Sequence, residues 1–491
     1  MNSIRLKSDS FNTLLTSLSK SEKRYLELYF LQEQTQDSLY LTYFKAYKNA
    51  LKNKHKSLKL PTDFPLGRLP SIKNYLKEKI LFVLGKFHQK STKRNEILEH
   101  LKFVEVLFNK RLYKECASLL RQLEKKATQF WAYNLLLEIL QWQLRLLLSN
   151  GYNEELKISF SNLYSKEKKL LNSLSMISFY REIRYELLKI LSQRQFSNPI
   201  EDNQIFAVRQ MLKNTISENL LPYATLEYDR TMSLYYRLIG NYKNAFMHSK
   251  NEMSIWNNNF SVFNDRLMTS KYINGHINKC EILFFLGAYD QCKEEFGKLQ
   301  KNVRLIENEQ NNRVLYLAQS YLLMLGVNMI KRDYNDNSNL ILEIEHIFLN
   351  KLNSQKIAEF LYVFAVNSFH QKKWNNCLHY ANRLINEYKS TNNSDLDSLA
   401  QFFRILVHFE LGNHEVVENL IQRFSNNITE MTLLFKSIHL YFKQPLLHRK
   451  LSKTLFNEME IVLSKRKQTH KIYIKLYYLV FLDWINSRKP N

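Results

Sequence analysis

Glycine and proline are scarce in this sequence, with 9 and 7 residues among 491. Together they make up roughly 3% of the chain, against roughly 12% in an average protein, which argues against turn-rich β folds, collagen-like repeats and enzymes built on glycine-rich loops. Hydrophobic residues make up 45% and charged residues 24%, a balance that excludes a disordered chain. We therefore expect an almost entirely helical protein, long enough for about three domains.

Motifs that support catalysis are also missing. The sequence contains no GxxxxGK[ST] or GxGxxG pattern for phosphate binding, and no GxSxG or HExxH pattern. The 13 histidines do not recur with cysteine or carboxylate at the spacing of metal ligands. Adjacent carboxylates such as Glu294 and Glu295 are expected on a solvated helix face. We predict no catalytic residue, no metal site and no cofactor, and therefore a protein that is not an enzyme.

Long apolar runs and paired cysteines are lacking as well. The most apolar stretches, residues 135–148 and 472–485, contain charges and are shorter than the roughly 20 residues of a membrane span. Residues 1–11 interleave charged and polar side chains and have no apolar core of a secretory signal. The four cysteines form no CxxC pair, so neither a disulfide framework nor a zinc ribbon is indicated. The sequence predicts a cytoplasmic protein without a transmembrane segment.

Positive charge is concentrated at the two ends of the chain. The formal net charge is +25, of which residues 1–100 carry +10 (19 basic, 9 acidic) and residues 434–491 carry +9 (12 basic, 3 acidic). Such a charge attracts polyanions or an anionic surface by its long-range field. The ends are therefore either docking surfaces or solvated caps of a lysine-rich chain.

A segment of eight residues recurs along the chain. Residues 238–245 (LIGNYKNA) are repeated as 285–292 (FLGAYDQC) and, more loosely, as 410–417 (ELGNHEVV). In each copy an apolar helix ends at glycine, an aromatic residue or histidine follows two positions later, and a small or apolar residue lies three positions beyond it. Counting copies without the glycine, the aromatic position gives eight markers, 39 to 47 residues apart: Tyr113, Tyr152, Phe196, Tyr242, Tyr289, Tyr334, Trp374 and His414.

A period near 43 residues holds two helices of about 15 to 20 residues and two short turns, which predicts stacked helical hairpins. The Gly-x-Tyr-x-x-Ala segment at Gly240, Tyr242 and Ala245 resembles the turn between the two helices of a tetratricopeptide repeat (TPR). The resemblance is clearest over residues 225–425. It departs from the family in its period, since the family repeat has 34 residues, and in lacking the proline that closes the family's second helix.

Small side chains are expected where the two helices of a hairpin approach each other. Periodicity of the second helices supports this, because Cys292, Phe296 and Leu299 recur at i, i+4 and i+7. Cys280 lies on a first helix, at the position where a small residue is expected to face the second helix. We therefore predict that all four cysteines are buried and act as small hydrophobic residues. The residues assigned to the structural repeat are Tyr113, Cys116, Gly240, Tyr242, Ala245, Gly287, Tyr289, Cys292, Trp374, Cys377 and Gly412.

The sequence predicts an all-α fold, an α-solenoid of stacked antiparallel helix pairs with repeats longer than those of TPR proteins. Four segments follow: an N-terminal helical head (1–60), a proline-rich connection (61–70), the solenoid (71–440) and basic, aromatic C-terminal capping helices (441–491). The basic stretch 52–59 is expected to be irregular. In the head, Ser19 and Glu22 form a capping box that opens a helix. A helix-turn-helix in the head is an alternative.

The function predicted is that of a scaffold that binds another protein or a peptide. The resemblance implies a groove lined by the first helices, where Arg230, Arg237, Asn274 and Asn278 would hold a peptide carboxylate or main chain. The alternative is a nucleic-acid-binding or regulatory protein that uses the basic N- and C-terminal regions. That alternative assigns binding to Lys465, Arg466, Lys467, Lys471 and Lys475, on or beside a terminal helix that either caps the solenoid or forms an interface.

Overall fold

The fold was analysed in a computed structural model of the chain. It describes residues 2–5, 10–32, 38–52, 57–62, 64–88, 92–149, 159–193, 202–213, 219–264, 266–303, 310–347, 349–388, 394–425, 476 and 483–484. Two of the eight markers, Tyr152 and Phe196, lie outside these residues, as do Lys465, Arg466, Lys467, Lys471 and Lys475.

The protein is all-α, as predicted: the described residues contain nineteen α-helices and one two-stranded ribbon. It divides into two compact units, residues 1–163 and 164–491. Helices of the first unit are α1 (Ser10–Ser17), α2 (Lys20–Gln32), α3 (Ser38–Lys52), α4 (Leu69–Phe87), α5 (Lys93–Asn109), α6 (Tyr113–Gln129) and α7 (Tyr133–Ser149). The four-segment division stays a prediction.

Helices α1 to α3 of the head pack on α4 around one apolar core. The capping box is present at the start of α2, because the Ser19 hydroxyl accepts from the Glu22 amide and the Glu22 carboxylate accepts from the Ser19 amide. Strand β1 (Asn2–Arg5) pairs antiparallel with β2 (Ser57–Leu60). The expectation of an irregular stretch over 52–59 is therefore wrong for β2, whose partner is more than 50 residues away.

The second unit consists of helix pairs. Its helices are α8 (Phe160–Gln193, whose first four residues belong to the first unit), α9 (Asp202–Lys213), α10 (Pro222–Leu238), α11 (Tyr242–Asn257), α12 (Arg266–Leu286), α13 (Tyr289–Val303), α14 (Gln310–Ile330), α15 (Tyr334–Ile347), α16 (Ser354–His370), α17 (Trp374–Glu387), α18 (Ser394–Glu410) and α19 (His414–Ser425). From α10 onward each helix packs on the next, and α12, α14, α16 and α18 also pack on one another. This is the predicted solenoid packing, with α10, α12, α14, α16 and α18 as first helices.

Each described marker is the first residue of a second helix. Tyr113, Tyr242, Tyr289, Tyr334, Trp374 and His414 open α6, α11, α13, α15, α17 and α19. Two residues earlier the backbone is left-handed, at Gly240, Gly287 and Gly412 with φ of 75 to 85°, and at Arg111, Arg332 and Lys372 with φ of 57 to 62°. At all six elbows this residue and the next donate to carbonyls three and five positions back, which defines a Schellman end.

A seventh elbow of the same geometry joins α6 to α7, with Trp131 at φ 54° and Tyr133 opening α7. Conversely, α8 runs unbroken for 34 residues where the 44-residue step between Tyr152 and Phe196 predicts a hairpin. The physical reason for the long helix is that its buried apolar residues keep the helical period along its length, and no proline interrupts it; these residues are Leu163, Leu170, Ile177, Tyr180, Ile183, Leu187 and Ile190.

The helices of a pair cross at a buried residue three positions after the marker. The residues at this position are Cys116, Ala245, Cys292, Asn337, Cys377 and Val417, each at most 2% exposed. Twelve positions earlier lies the facing residue of the first helix: the Cys292 thiol donates to the Cys280 carbonyl at 3.4 Å, and the Ser233 hydroxyl donates to the Ala245 carbonyl at 3.2 Å.

Helix α16 is the centre of the largest core cluster, since all ten residues from 360 to 369 are buried. Two described residues of the C-terminal segment, Leu476 and Trp484, belong to the same cluster. Leu476 is 1% exposed, and Trp484 packs on Phe409 and donates from its indole to Glu410 at 2.7 Å. The rest of the predicted capping helices lies outside the described residues, and the capping role stays a prediction.

Candidate peptide-binding surface

The first helices carry a line of linked polar side chains, here called the polar row. It comprises Arg237 on α10, Asn278 and Glu281 on α12, Gln319 on α14, and Lys356 and Glu359 on α16. The row begins near the C-terminal end of α10 and ends near the N-terminal end of α16. The side chains of Arg237, Glu281, Lys356 and Glu359 keep 10 to 25% of their surface exposed, so the row is partly accessible.

Hydrogen bonds of the polar row connect each first helix from α10 to α16 with the next, and one further bond lies within α16. Arg237 donates to Glu281 at 2.7 Å and to Asn278 at 3.3 Å. Gln319 donates to Glu281 at 2.7 Å and accepts from Lys356 at 2.7 Å. Lys356 also donates to Glu359 at 2.6 Å. Two cations and two carboxylates therefore balance within the row.

A second polar cluster surrounds Glu227 of α10, whose side chain is fully buried. Arg184 of α8 and Lys271 of α12 both donate to this carboxylate, and Arg230 lies 3.9 Å from it. Burial alone would raise the pKa of Glu227, but the charges of Arg184, Arg230 and Lys271 outweigh it and lower the pKa to about 2. The carboxylate thus ties three helices together in its ionised form.

At Glu252 of α11 the effect of burial on the pKa outweighs that of a neighbouring cation, which is the reverse of the balance at Glu227. Its side chain is 2% exposed, accepts from Trp256 at 3.4 Å and lies 3.2 Å from Arg230. Burial raises the pKa of Glu252 to about 7, since desolvation exceeds the attraction of Arg230. A Cβ atom on Gly275 would lie only 3.0 Å from this carboxylate, so the α12 backbone approaches α11 closely there.

The four predicted peptide-binding residues are only partly brought together. Arg237 and Asn278 contact each other in the polar row. Arg230 lies instead in the Glu227 cluster, and Asn274 donates to the Tyr316 hydroxyl on α14 at 3.5 Å. Their role in peptide binding stays a prediction. The acidic partners Glu252 and Glu281 were missed, because they lie 22 and 44 residues from Arg230 and Arg237 and such spacings have no sequence signature.

Two further buried pairs escape sequence reasoning. His248 on α11 lies 2.8 Å from Asp229 on α10, and His276 on α12 lies 2.5 Å from Glu295 on α13. The prediction that Glu295 lies on a solvated helix face is wrong, because Glu295 is only 3% exposed. Lys279 also donates a hydrogen bond to its carboxylate at 2.9 Å. Burial would raise the pKa of Glu295, but the bonds from His276 and Lys279 lower it to about 2.

The four cysteines are free and buried. Burial raises the pKa of the Cys116 thiol to about 11 and also raises that of Cys377, as expected for small core residues. Within the described ranges, no cluster of three or more histidine, cysteine or acidic side chains is placed to hold a metal ion. Among the helices described, none is both long and apolar enough to cross a membrane.

No family model matches the chain, and no curated protein matches its sequence. The resemblance to TPR proteins therefore rests on the elbow residues alone, the glycine, the aromatic residue and the small residue three positions later.

Proposed function

We propose that this chain is a non-catalytic, TPR-like scaffold that binds another protein or a peptide through the polar row. The observation that carries the proposal is the linkage of four successive first helices by Arg237, Asn278, Glu281, Gln319 and Lys356. A continuous line of donors and acceptors across a rigid array suits a partner that is itself extended.

The dimensions of the row support an extended peptide. Packed helices lie roughly 8–10 Å apart, so four helices span about 25–30 Å, which an extended peptide covers with about eight residues at roughly 3.3 Å each. Asn278 and Gln319 carry amides that both donate and accept, as main-chain recognition requires. Because neighbouring side chains hold them in place, little conformational entropy is lost when a partner binds.

The proposal places the protein in the cytoplasm. Its four cysteines are free and buried, and the Cys292 thiol donates to the Cys280 carbonyl. Free thiols of this kind are typical of a reducing compartment.

Selection of peptides from a random library on the full-length protein tests the proposal. A selected peptide is then titrated by calorimetry against the wild type and the variants Asn278→Ala and Gln319→Ala. Loss of one or two hydrogen bonds to the peptide should weaken binding roughly 5- to 100-fold. Lys298→Ala is the matched control, because Lys298 pairs with Glu294 on the exposed side of a second helix.

The proposal requires that the control binds like the wild type while both amide variants lose affinity. Failure to select any peptide would contradict it, as would a peptide whose affinity is the same for all four proteins. Weak dependence on salt is also expected, since apolar and main-chain contacts release few counterions.

A further inference from the structure

One face of α4 in the first unit alternates aromatic rings and lysines. Tyr75, Lys79, Phe82 and Lys86 follow one another at i, i+4, i+7 and i+11, the spacing of side chains on one side of a helix. The other side of α4 is buried in the core of the head by Ile72, Leu76, Ile80 and Val83. The alternating face, here called the α4 stripe, borders this buried side and is partly exposed.

Both rings of the α4 stripe are accessible. Phe82 is 54% exposed and Tyr75 is 39% exposed, although aromatic rings of this size are usually buried. No heavy atom outside the helix lies within 4 Å of a Cβ built on Gly85, so the surface beside Phe82 is open. The ring of Phe82 is therefore accessible to a ligand from solvent.

The lysines of the stripe lie over rings. The Lys86 ammonium is 4.6 Å from the centroid of Phe82 and 5.3 Å from that of Tyr29 on α2, and the Lys79 ammonium is 5.9 Å from Tyr29. Among the described residues, Lys86 forms no ion pair with a carboxylate, and its ammonium contacts these two rings. Helix α4 as a whole carries four lysines and a single glutamate.

We propose that the α4 stripe binds single-stranded nucleic acid, with Tyr75 and Phe82 stacking on bases and Lys79 and Lys86 contacting phosphates. Exposed aromatic rings beside cations are the combination by which proteins bind single strands without reading their sequence. Seven helical residues rise about 10 Å, which corresponds to about three stacked bases at roughly 3.4 Å each. The two rings are thus spaced to hold a short stretch of one strand.

The arrangement fits a lipid surface less well. A helix that lies in a membrane interface has its apolar residues on one face and its cations on another. In α4 the continuous apolar face is already buried in the core, and the exposed rings alternate with lysines instead of forming a face of their own. Charge complementarity and stacking therefore favour the nucleic acid.

Fluorescence anisotropy with the full-length protein and a labelled oligothymidylate of about 12 nucleotides tests the proposal over a range of salt concentrations. Phe82→Ala should weaken binding roughly 5- to 100-fold, the value of one stacked base. Lys86→Gln should weaken binding and reduce the slope of log affinity against log salt by about 0.7, the value of one phosphate contact to a single strand.

Two controls lie close to the stripe. Leu81→Ala removes a side chain that is 49% exposed on the same helix but outside the stripe, and Lys102→Gln removes the same charge from α5. Both should bind like the wild type. Thermal unfolding of each variant shows whether it folds, and the exposed position of Phe82 predicts an unchanged melting temperature.

Three results would overturn the proposal: no binding of the oligonucleotide at low salt, equal affinity of Phe82→Ala and the wild type, or equal losses in Lys86→Gln and Lys102→Gln. Binding to phosphatidylserine vesicles without binding to the oligonucleotide would also overturn it in favour of a membrane surface. None of these results bears on the polar row, which lies in the other unit.

Discussion

His276 on α12 and the buried carboxylate of Glu295 on α13 form a hydrogen bond of 2.5 Å. The preceding helix pair has an equivalent bond, but there the acidic residue is on the first helix and the histidine on the second. There, Asp229 lies on the first helix α10 and His248 on the second helix α11, 2.8 Å apart. Both pairs are separated by 19 residues and occupy the same places relative to Tyr242 and Tyr289. The two repeats thus keep the same interaction with different residue types at each position. Comparing the sequence of one repeat with that of the other therefore does not reveal this interaction.

Ala245 occupies the crossing of α10 and α11 and is fully buried. Ala245→Phe should overpack this crossing and reduce the free energy of unfolding by about 1–3 kcal/mol, because the helices have no space to accept a ring. Urea unfolding measures the change. Met247→Phe on the same helix is the control, since Met247 is 50% exposed; equal losses in both variants would contradict the assigned crossing.

Gly287 ends α12 in the left-handed region with φ of 85°, and no heavy atom lies within 4 Å of a Cβ built there. Gly287→Ala should therefore cost about 1 kcal/mol through backbone strain alone. Gly297→Ala on α13, where space is equally open but the backbone is helical, should raise the free energy of unfolding by about 0.5–1 kcal/mol. Melting temperatures that shift in the same direction for both would refute the explanation.

The Glu227 carboxylate neutralises cations from three helices. Glu227→Gln should destabilise the second unit by about 3 kcal/mol, because Arg184, Arg230 and Lys271 would remain partly buried without it. Glu294→Gln serves for comparison, since its pair with Lys298 is exposed and should contribute less than about 0.5 kcal/mol. Chemical denaturation of both variants at neutral pH provides the measurement, and similar losses would argue against the central role of Glu227.

Glu252 makes stability depend on pH. Its pKa is raised by burial from the ordinary 4.5 to about 7, so the folded protein favours the protonated carboxyl. The stabilisation is fully present below pH 4.5 and is lost as pH rises through 7, by up to about 3 kcal/mol. The ionised Glu227 and Glu295, with pKa lowered to about 2, act in the opposite direction and lose their contribution only as pH falls below 4.5 toward 2.

Comparison of the wild type with Glu252→Gln isolates this dependence. The two proteins should have similar stability near pH 4.5, and the variant should be the more stable above pH 7, because its amide never ionises. Unfolding curves between pH 4.5 and 8 measure the difference. A difference that is constant over this range would show that Glu252 does not titrate on folding.

The elbows between paired helices were predictable because their signal is local. The signal spans six residues: a residue in the left-handed region, an aromatic residue or histidine two positions later, and in most copies a small or apolar residue three positions beyond that. It locates the starts of α6, α11, α13, α15, α17 and α19. The elbow before Tyr133 was missed, since Tyr133 lies only 20 residues after Tyr113, outside the spacing of 39 to 47 residues. The pairing of β1 with β2 was missed because four-residue strands far apart in sequence leave no periodic signal.

The sequence by itself determined the helical class, the stacked pairs and the burial of the four cysteines, because helix periodicity, chain punctuation and side-chain size act over a few residues. Only the tertiary structure decided which charges are neutralised. Lys271 and Arg237 look like free cations in the sequence, yet Glu227 and Glu281 lie within 3.2 Å and 2.7 Å of them. Coulomb attraction depends on distance in space, and the packing of separate helices sets that distance.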